Sequence, residues 1–234
     1  MSPSLFSLFI EDLDDVNCGL SFIDIRFVLM LFADDMVILG NSPADLQQRL
    51  DLLSEYCSKW GLQVNTVKSK ILVFRKRGGL RPDEVWQYNG NVIETVSDFN
   101  YLRTVFNYTG SFTLNHETLS GKGLKALNVL LNNLKHLNLT TKTKCQLFDA
   151  FVGSILSYGC EVWGFGKNKE IERIQLKFCK IVLNVKSSTS NAGVYDELGR
   201  YPLYINRFVR IIKDWGKIMQ SDNVLIKLLY NDMF

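Results

Sequence analysis

Phe27-Val28-Leu29-Met30-Leu31-Phe32-Ala33-Asp34-Asp35-Met36-Val37-Ile38-Leu39 is the stretch that decides how this chain is read. Two apolar runs of strand length flank an acidic pair. A buried strand tolerates neither an unpaired charge nor two like charges side by side, so the pair is expected at a tight hairpin turn. Carboxylates held together at a sheet edge suit divalent cations, and a metal pair in such a place can drive phosphoryl or nucleotidyl transfer. A solvated acidic turn satisfies the same pattern, so the neighbouring sequence has to decide.

Downstream, Asn41-Ser42-Pro43 reads as a helix start, with Ser42 as N-cap and Pro43 at the first helical position. Leu46, Leu50, Leu53, Cys57 and Trp60 come next at spacings of three and four, one apolar stripe on an amphipathic helix. Gly61 suits a left-handed stop. Leu62 and Val64 alternate with polar neighbours, Asn65-Thr66 can turn the chain, and Ile71-Leu72-Val73-Phe74 reads as a strand preceded by Lys68 and Lys70. The order is strand, acidic turn, strand, helix, strand with lysines.

That order and those residues resemble the palm of reverse transcriptases, most closely the non-LTR (LINE-type) retrotransposon enzymes. Phe32-Ala33-Asp34-Asp35 is similar to the family's metal-binding catalytic box, and Trp60-Gly61-Leu62-Gln63-Val64-Asn65 with Lys68-Ser69-Lys70 to its next palm motif. Phe99-Asn100-Tyr101-Leu102 resembles the segment that opens the primer-grip hairpin, where the family places Gly after Tyr-Leu and this chain has Arg103. Ser2-Pro3-Ser4-Leu5-Phe6 is similar to the tail of the motif that sits against the incoming nucleotide and template.

The resemblance implies that Asp34 and Asp35 hold Mg²⁺ (or Mn²⁺) in the complete enzyme. Lys68 or Lys70 would assist the pyrophosphate leaving group, Lys68 matching its motif better; either is equally compatible with a plain strand-edge lysine. Ser2, Pro3, Phe32, Lys70, Tyr101 and Leu102 would contact nucleotide or nucleic acid. An RNA template, a DNA primer and dNTP are the implied partners. In the family a third metal-binding aspartate and the fingers lie upstream of the Ser-Pro segment, inside which this sequence starts. Both are therefore expected to be missing, supplied if at all by a separate N-terminal polymerase part, and the chain alone is expected to be inactive. Asp24 matches no family motif, and Glu11, Asp12, Asp14 and Asp15 read as the solvated end of a helical stretch carrying Leu5, Phe6, Phe9 and Leu13.

The chain has 234 residues, 47% hydrophobic and 22% charged, a globular composition. Its net charge of +3 is unevenly spread: residues 1–75 hold six Lys or Arg against ten Asp or Glu, residues 76–234 hold 21 against 14. An acidic lobe joined to a basic one fits a nucleic-acid polymerase. Cys18, Cys57, Cys145, Cys160 and Cys179 form no Cys-x-x-Cys pair, and His116 and His136 stand at no ligand spacing, so a structural zinc site is not expected. Scattered cysteines without a signal peptide point to a reducing location, nucleus or cytoplasm. The most apolar stretch is split by Asp34-Asp35, which argues against a membrane span.

Residues 76–110 read as turn-rich β structure, with Asn89-Gly90 between Val85-Trp86-Gln87-Tyr88 and Val92-Ile93 as a hairpin signal. Beyond Gly110 the pattern is helical. Leu124, Leu127, Leu130, Leu131 and Leu134 form one stripe. Thr140 or Thr141 caps a second helix with Leu147, Phe148, Phe151 and Ile155 on its face, continuing into Ser157–Trp163. A third helix, about 168–185, has Ile171, Ile174, Phe178, Ile181 and Val182 inward and Lys169, Arg173, Lys177 and Lys180 outward. One more ends near Gly199, and the last, from Pro202 to Met219, carries Arg207, Arg210, Lys213 and Lys217 as basic residues. Residues 147–163 also resemble the region C-terminal to the palm in LINE-type proteins. The expected fold is α+β: a partial reverse-transcriptase palm of antiparallel hairpins and an amphipathic helix over 1–110, then a mainly α-helical thumb and post-thumb region over 111–234. Two other readings fit the sequence: a non-catalytic nucleic-acid-binding module, or a non-functional retroelement relic whose first hairpin has an unpaired edge.

Overall fold

The computed structural model describes residues 29–32, 35–75, 81 and 84–222. The fold is α+β, with short strands followed by a helical region. The chain divides into two compact units, Met1–Phe99 and Asn100–Phe234.

In the first unit, strand β1 (Leu29–Phe32) and strand β2 (Asp35–Ile38) pair antiparallel, from Leu29 opposite Ile38 to Phe32 opposite Asp35. Helix α1 (Pro43–Trp60) begins as the sequence dictates: Ser42 accepts from the Asp45 N–H at 3.1 Å, Pro43 opens the first turn, and Gly61 closes the helix at φ +66°. Asp45 does more than the pattern foretold. Its carboxylate accepts from the Asn41 N–H at 2.9 Å and from Arg49 at 2.7 Å, closing the helix start on both sides of the cap. Leu50, Leu53 and Cys57 are buried as expected, but Trp60 at the stripe's end is 40% exposed, and the stripe missed the buried Arg49 and Tyr56.

The expected strand Ile71–Phe74 shrinks to β3 (Ile71–Leu72). It runs parallel to β6 (Thr95–Val96), Ile71 opposite Thr95. The backbone bends at Ser97 directly after β6, so the ladder stops there and Phe74 is left exposed. Strands β4 (Gln87–Tyr88) and β5 (Asn91–Val92) form the Asn-Gly hairpin, with φ +48° at Asn89 and +75° at Gly90, the sign a two-residue type I′ turn requires. Three side chains tie this hairpin to α1. Gln47 exchanges two hydrogen bonds of 2.9 Å with the backbone of Gln87, Trp86 donates its indole N–H to the Pro43 carbonyl at 3.0 Å, and Ser54 bonds Asn89. Trp86, Tyr88 and Ile93 thereby join Leu50, Leu53, Tyr56, Cys57 and Ile71 in one core, on which Met36 and Ile38 of β2 also rest.

The second unit opens at the hairpin of β7 (Asp98–Tyr101), whose first two residues still belong to the first unit, with β8 (Thr104–Asn107). Helix α2 (Thr113–Leu134) starts eleven residues before the leucine stripe, because Asn115 is buried by a bond from the Val105 N–H at 3.0 Å and Leu119 by the core. Leu127, Leu130 and Leu134 are inside; Leu124 is not.

Helix α3 (Thr141–Phe148), capped by Thr140, runs through a π-helical stretch, Asp149–Gly153, into α4 (Ser154–Leu156). This corrects the expected face. The widened turn makes buried positions step by four, Phe148, Val152, Leu156 and Cys160, and turns Phe151 out to 61% exposure. Nor does the helix continue to Trp163. Gly159 takes φ +63°, and a separate helix, α5 (Cys160–Trp163), begins after it.

Helix α6 (Lys169–Val182), capped by Asn168, buries Ile171, Ile174, Gln175, Phe178 and Cys179. Ile181, expected inside, is about half exposed. Lys169, Arg173 and Lys177 face solvent as predicted. Phe148 and Phe178 stack with ring centroids 4.3 Å apart and planes at 20°. Gly123 of α2 lies where any Cβ would meet the Leu156 side chain at 2.4 Å, so its missing side chain sets how closely α2 and α4 approach. Helices α7 (Asn191–Glu197) and α8 (Leu203–Gln220) are the last among the described residues.

Arg207 of α8 is a second correction: it is fully buried rather than part of a basic face. Glu172 of α6 accepts from its guanidinium at 3.0 Å and from the N–H groups of Leu203 and Tyr204 at 2.8 Å each. One carboxylate thus neutralises the buried cation and caps the start of α8. The guanidinium lies 5.7 Å from the Trp163 ring centre, and His116 meets that ring edge-on at 5.0 Å. Burial first, and the Arg207 charge second, push His116 below its ordinary range.

Candidate functional site

The acidic hairpin is the site to which the sequence points. Phe32 pairs with Asp35 at the end of the ladder. Asp35 is thus not a turn residue but the first residue of β2, and its side chain is exposed. Side chains alternate along a strand. Met36 and Ile38 rest on the α1 core, so Asp35 projects to the opposite face, free to meet a cation. Phe32 across the pair is 62% exposed. Asp34, Ser2 and Pro3 lie outside the described residues, as do Asp24 and the acidic cluster at 11–15.

The lysines sit in the same unit. Asn65 shapes their approach: its carbonyl accepts from the N–H groups of Lys68 and Ser69 at 3.2 and 2.9 Å, and its side-chain oxygen accepts from Lys68 at 3.1 Å. Lys68 is exposed on that turn. Lys70 is committed elsewhere, its ammonium 2.5 Å from Glu94, next to the Ile71 N–H bond to the Glu94 carbonyl at 3.0 Å. Sequence spacing gave no hint of Glu94, 24 residues away, because the parallel pairing of β3 with β6 creates the contact. β2 and β3 belong to separate two-stranded pairings and meet through the core that Met36, Ile38 and Ile71 share. The structure thus gathers Phe32, Asp35, Lys68 and Lys70 in one unit, while Tyr101 and Leu102 belong to the other.

Among the described residues no group of three His, Cys, Asp or Glu could hold a metal ion. Asp35 stands as a single carboxylate, and the described residues by themselves do not make a two-metal centre.

At the other resemblance segment, Leu102 and Arg103 form the bend between β7 and β8 with φ +46° and +65°. This is the left-handed region that glycine occupies freely and bulky residues enter only at a cost. Arg103→Gly is expected to stabilise the protein by about 1 kcal/mol, the strain of one left-handed residue. A urea titration checks it; a destabilised Arg103→Gly would show that the arginine side chain contributes more than its backbone costs.

Comparison with known proteins agrees with this reading. Residues 1–110 match the family described as reverse transcriptase (RNA-dependent DNA polymerase). The RNA-directed DNA polymerase from mobile element jockey of Drosophila funebris is 21% identical, over 80% of this chain and 21% of its own length. A protein named for the RNA-directed DNA polymerase of transposon BS in Drosophila melanogaster is 25% identical, over 75% of this chain and 20% of its own. A transposon-derived protein of Caenorhabditis elegans is 29% identical, over 58% and 48% respectively. The chain therefore spans from about a fifth to about half the length of these relatives. No solved structure matches it. Among the described residues no helix is long and apolar enough to cross a membrane. Over residues 1–110 the chain is thus similar to reverse transcriptases, and over most of its length to RNA-directed DNA polymerases of non-LTR retrotransposons.

Proposed function

We propose that this chain is the palm-and-thumb segment of a retroelement RNA-directed DNA polymerase, with a partial palm over 1–110 and thumb and post-thumb helices over 111–234. In the complete enzyme Asp34 and Asp35 would hold the divalent ions, Mg²⁺ or Mn²⁺, that support nucleotidyl transfer. Lys68 is the better candidate to assist the leaving pyrophosphate, since Lys70 is tied to Glu94. Phe32, Lys70, Tyr101 and Leu102, with Ser2 and Pro3, are the proposed nucleotide and nucleic-acid contacts, and template RNA, primer DNA and dNTP the proposed partners, in a reducing compartment. The observation that carries this reading is the exposed Asp35 at the first position of β2, opposite Phe32 in the antiparallel pair.

The chain by itself is proposed to be inactive, because the carboxylates of this hairpin supply one side of a metal pair only. The experiment is primer extension on an RNA template with dNTP and Mg²⁺. The purified chain is expected to add no nucleotide. Together with the upstream polymerase part of its element it is expected to extend primer, and Asp35→Ala in that assembly to cut the rate by about a thousandfold, several kcal/mol of transition-state stabilisation. Extension by the assembly that survives Asp34→Ala and Asp35→Ala would remove these residues from the reaction. Extension by the chain alone would end the claim of inactivity.

A second role has a specific support: Lys169, Arg173 and Lys177 stand in one row on the solvent face of α6, placed to meet backbone phosphate. Salt-dependent binding of primer–template duplex without incorporation is the corresponding expectation.

A further inference from the structure

Helices α2 and α6 run side by side in the same direction. His116, near the start of α2, meets the ring of Trp163 just before α6 begins. Further along, a Cβ on Gly123 would stand 3.5 Å from Ile174. The parallel pair leaves a groove of about 370 Å³ between the two helices. Its charges are sorted by level: Glu117 and Glu170 line one end, Lys177 the other, and Arg173 lies between. Glu170 and Lys177 are about 10 Å apart along the helix axis. All four side chains are exposed. Among the described residues none of the four enters an ion pair or a side-chain hydrogen bond. The parallel run explains this, since it sets the acidic end of one helix beside the acidic end of the other.

We propose that this groove is the contact face of a symmetric dimer, covered by the same groove of a second copy of the chain. Charge complementarity names the occupant. A two-fold rotation about an axis through the middle of the groove reverses its direction, so Glu117 and Glu170 of each copy come against Lys177 and Arg173 of the other, every contact being made twice. Gly121 gives separate support. It lies on the groove near the level of that axis, and among the described residues a Cβ there would meet nothing within 4 Å. The fold of the unit therefore has no need of a glycine that weakens the helix interior, whereas the close approach of a second backbone does. Leu124, 39% exposed beside the buried Ile174, adds an apolar patch for the charges to surround. A nucleic-acid duplex is the rival occupant, because the basic row of α6 shares Arg173 and Lys177 with the groove. Glu117 and Glu170 repel phosphate there and favour the second copy. The proposal does not depend on the polymerase reading.

Sedimentation of the full-length chain across a range of concentrations tests it. A face of two short helix segments is smaller than a standard interface, so a dissociation constant of about 10 μM is expected. Glu117→Lys alone and Lys177→Glu alone are each expected to weaken pairing about tenfold or more, because symmetry counts each change twice. The two changes together restore opposite charges across the axis and are expected to restore the dimer. Gly121→Gln is expected to abolish pairing while the chain melts no lower than before. A dimer indifferent to the single charge reversals, a double variant that stays apart, or a dimer that survives Gly121→Gln would each overturn the proposal. So would an unaltered chain that is monomeric at every concentration; if Lys177→Glu then weakened binding of a primer–template duplex, the groove would belong to nucleic acid.

Discussion

Phe178→Ala is expected to destabilise the helical unit by about 4 kcal/mol, close to the whole stability of a modest unit. The ring is fully buried. It stacks on Phe148 at 4.3 Å, an arrangement worth about 1 kcal/mol beyond its area. Truncation leaves a cavity between α3 and α6 that the surrounding side chains fill only in part. Phe151→Ala is the control. It stands three residues from Phe148 on the same continuous helix, yet its ring is 61% exposed, and its loss is expected to change stability by about 0.5 kcal/mol at most. Urea unfolding followed by circular dichroism measures both. Equal shifts for the two variants would mean that the π-helical register is wrong.

Glu172→Ala is expected to cost about 3–5 kcal/mol, because it strands the fully buried charge of Arg207. Burial pushes the Arg207 guanidinium below its ordinary range while Glu172 pulls it back up; an arginine nevertheless stays charged. The same substitution takes the acceptor from the Leu203 and Tyr204 N–H groups. Adding Arg207→Met to Glu172→Ala removes the stranded charge, so the double variant is expected to melt above Glu172→Ala alone by several degrees. A double variant no more stable than the single one would show that the capping bonds, rather than the charge, dominate.

How much of the fold was legible in the sequence depends on how local each signal is. Both ends of α1 could be read to the residue, since Ser42, Pro43 and Gly61 act within one turn of where they stand. The Asn89-Gly90 hairpin was readable for the same reason. The buried Arg207 was not, because its carboxylate comes from another helix 35 residues earlier, and no helical period separates a buried arginine from a solvated one. Phe151 was misplaced because a π-helical turn changes the period itself. At the candidate site the acidic hairpin was expected, and its two strands pair as the apolar runs implied. The one-residue shift that puts Asp35 on β2 instead of in the bend depends on register, which composition does not set. Lys70 and Glu94 meet only because β3 and β6 run parallel, a long-range pairing that no nearby turn encodes.

The widened turn at 149–153 also governs which changes of length this chain can absorb. Cutting one residue there would give an ordinary helix, and four α-helical residues turn the chain by about 400°, close to what the wider π-helical stretch accomplishes with one residue more, so Leu156 would stay against Gly123. A surface loop such as the one between α7 and α8 swallows a gap or an extra residue. The widened turn does the same inside a helix, so kindred sequences one residue shorter there should keep the same helical packing.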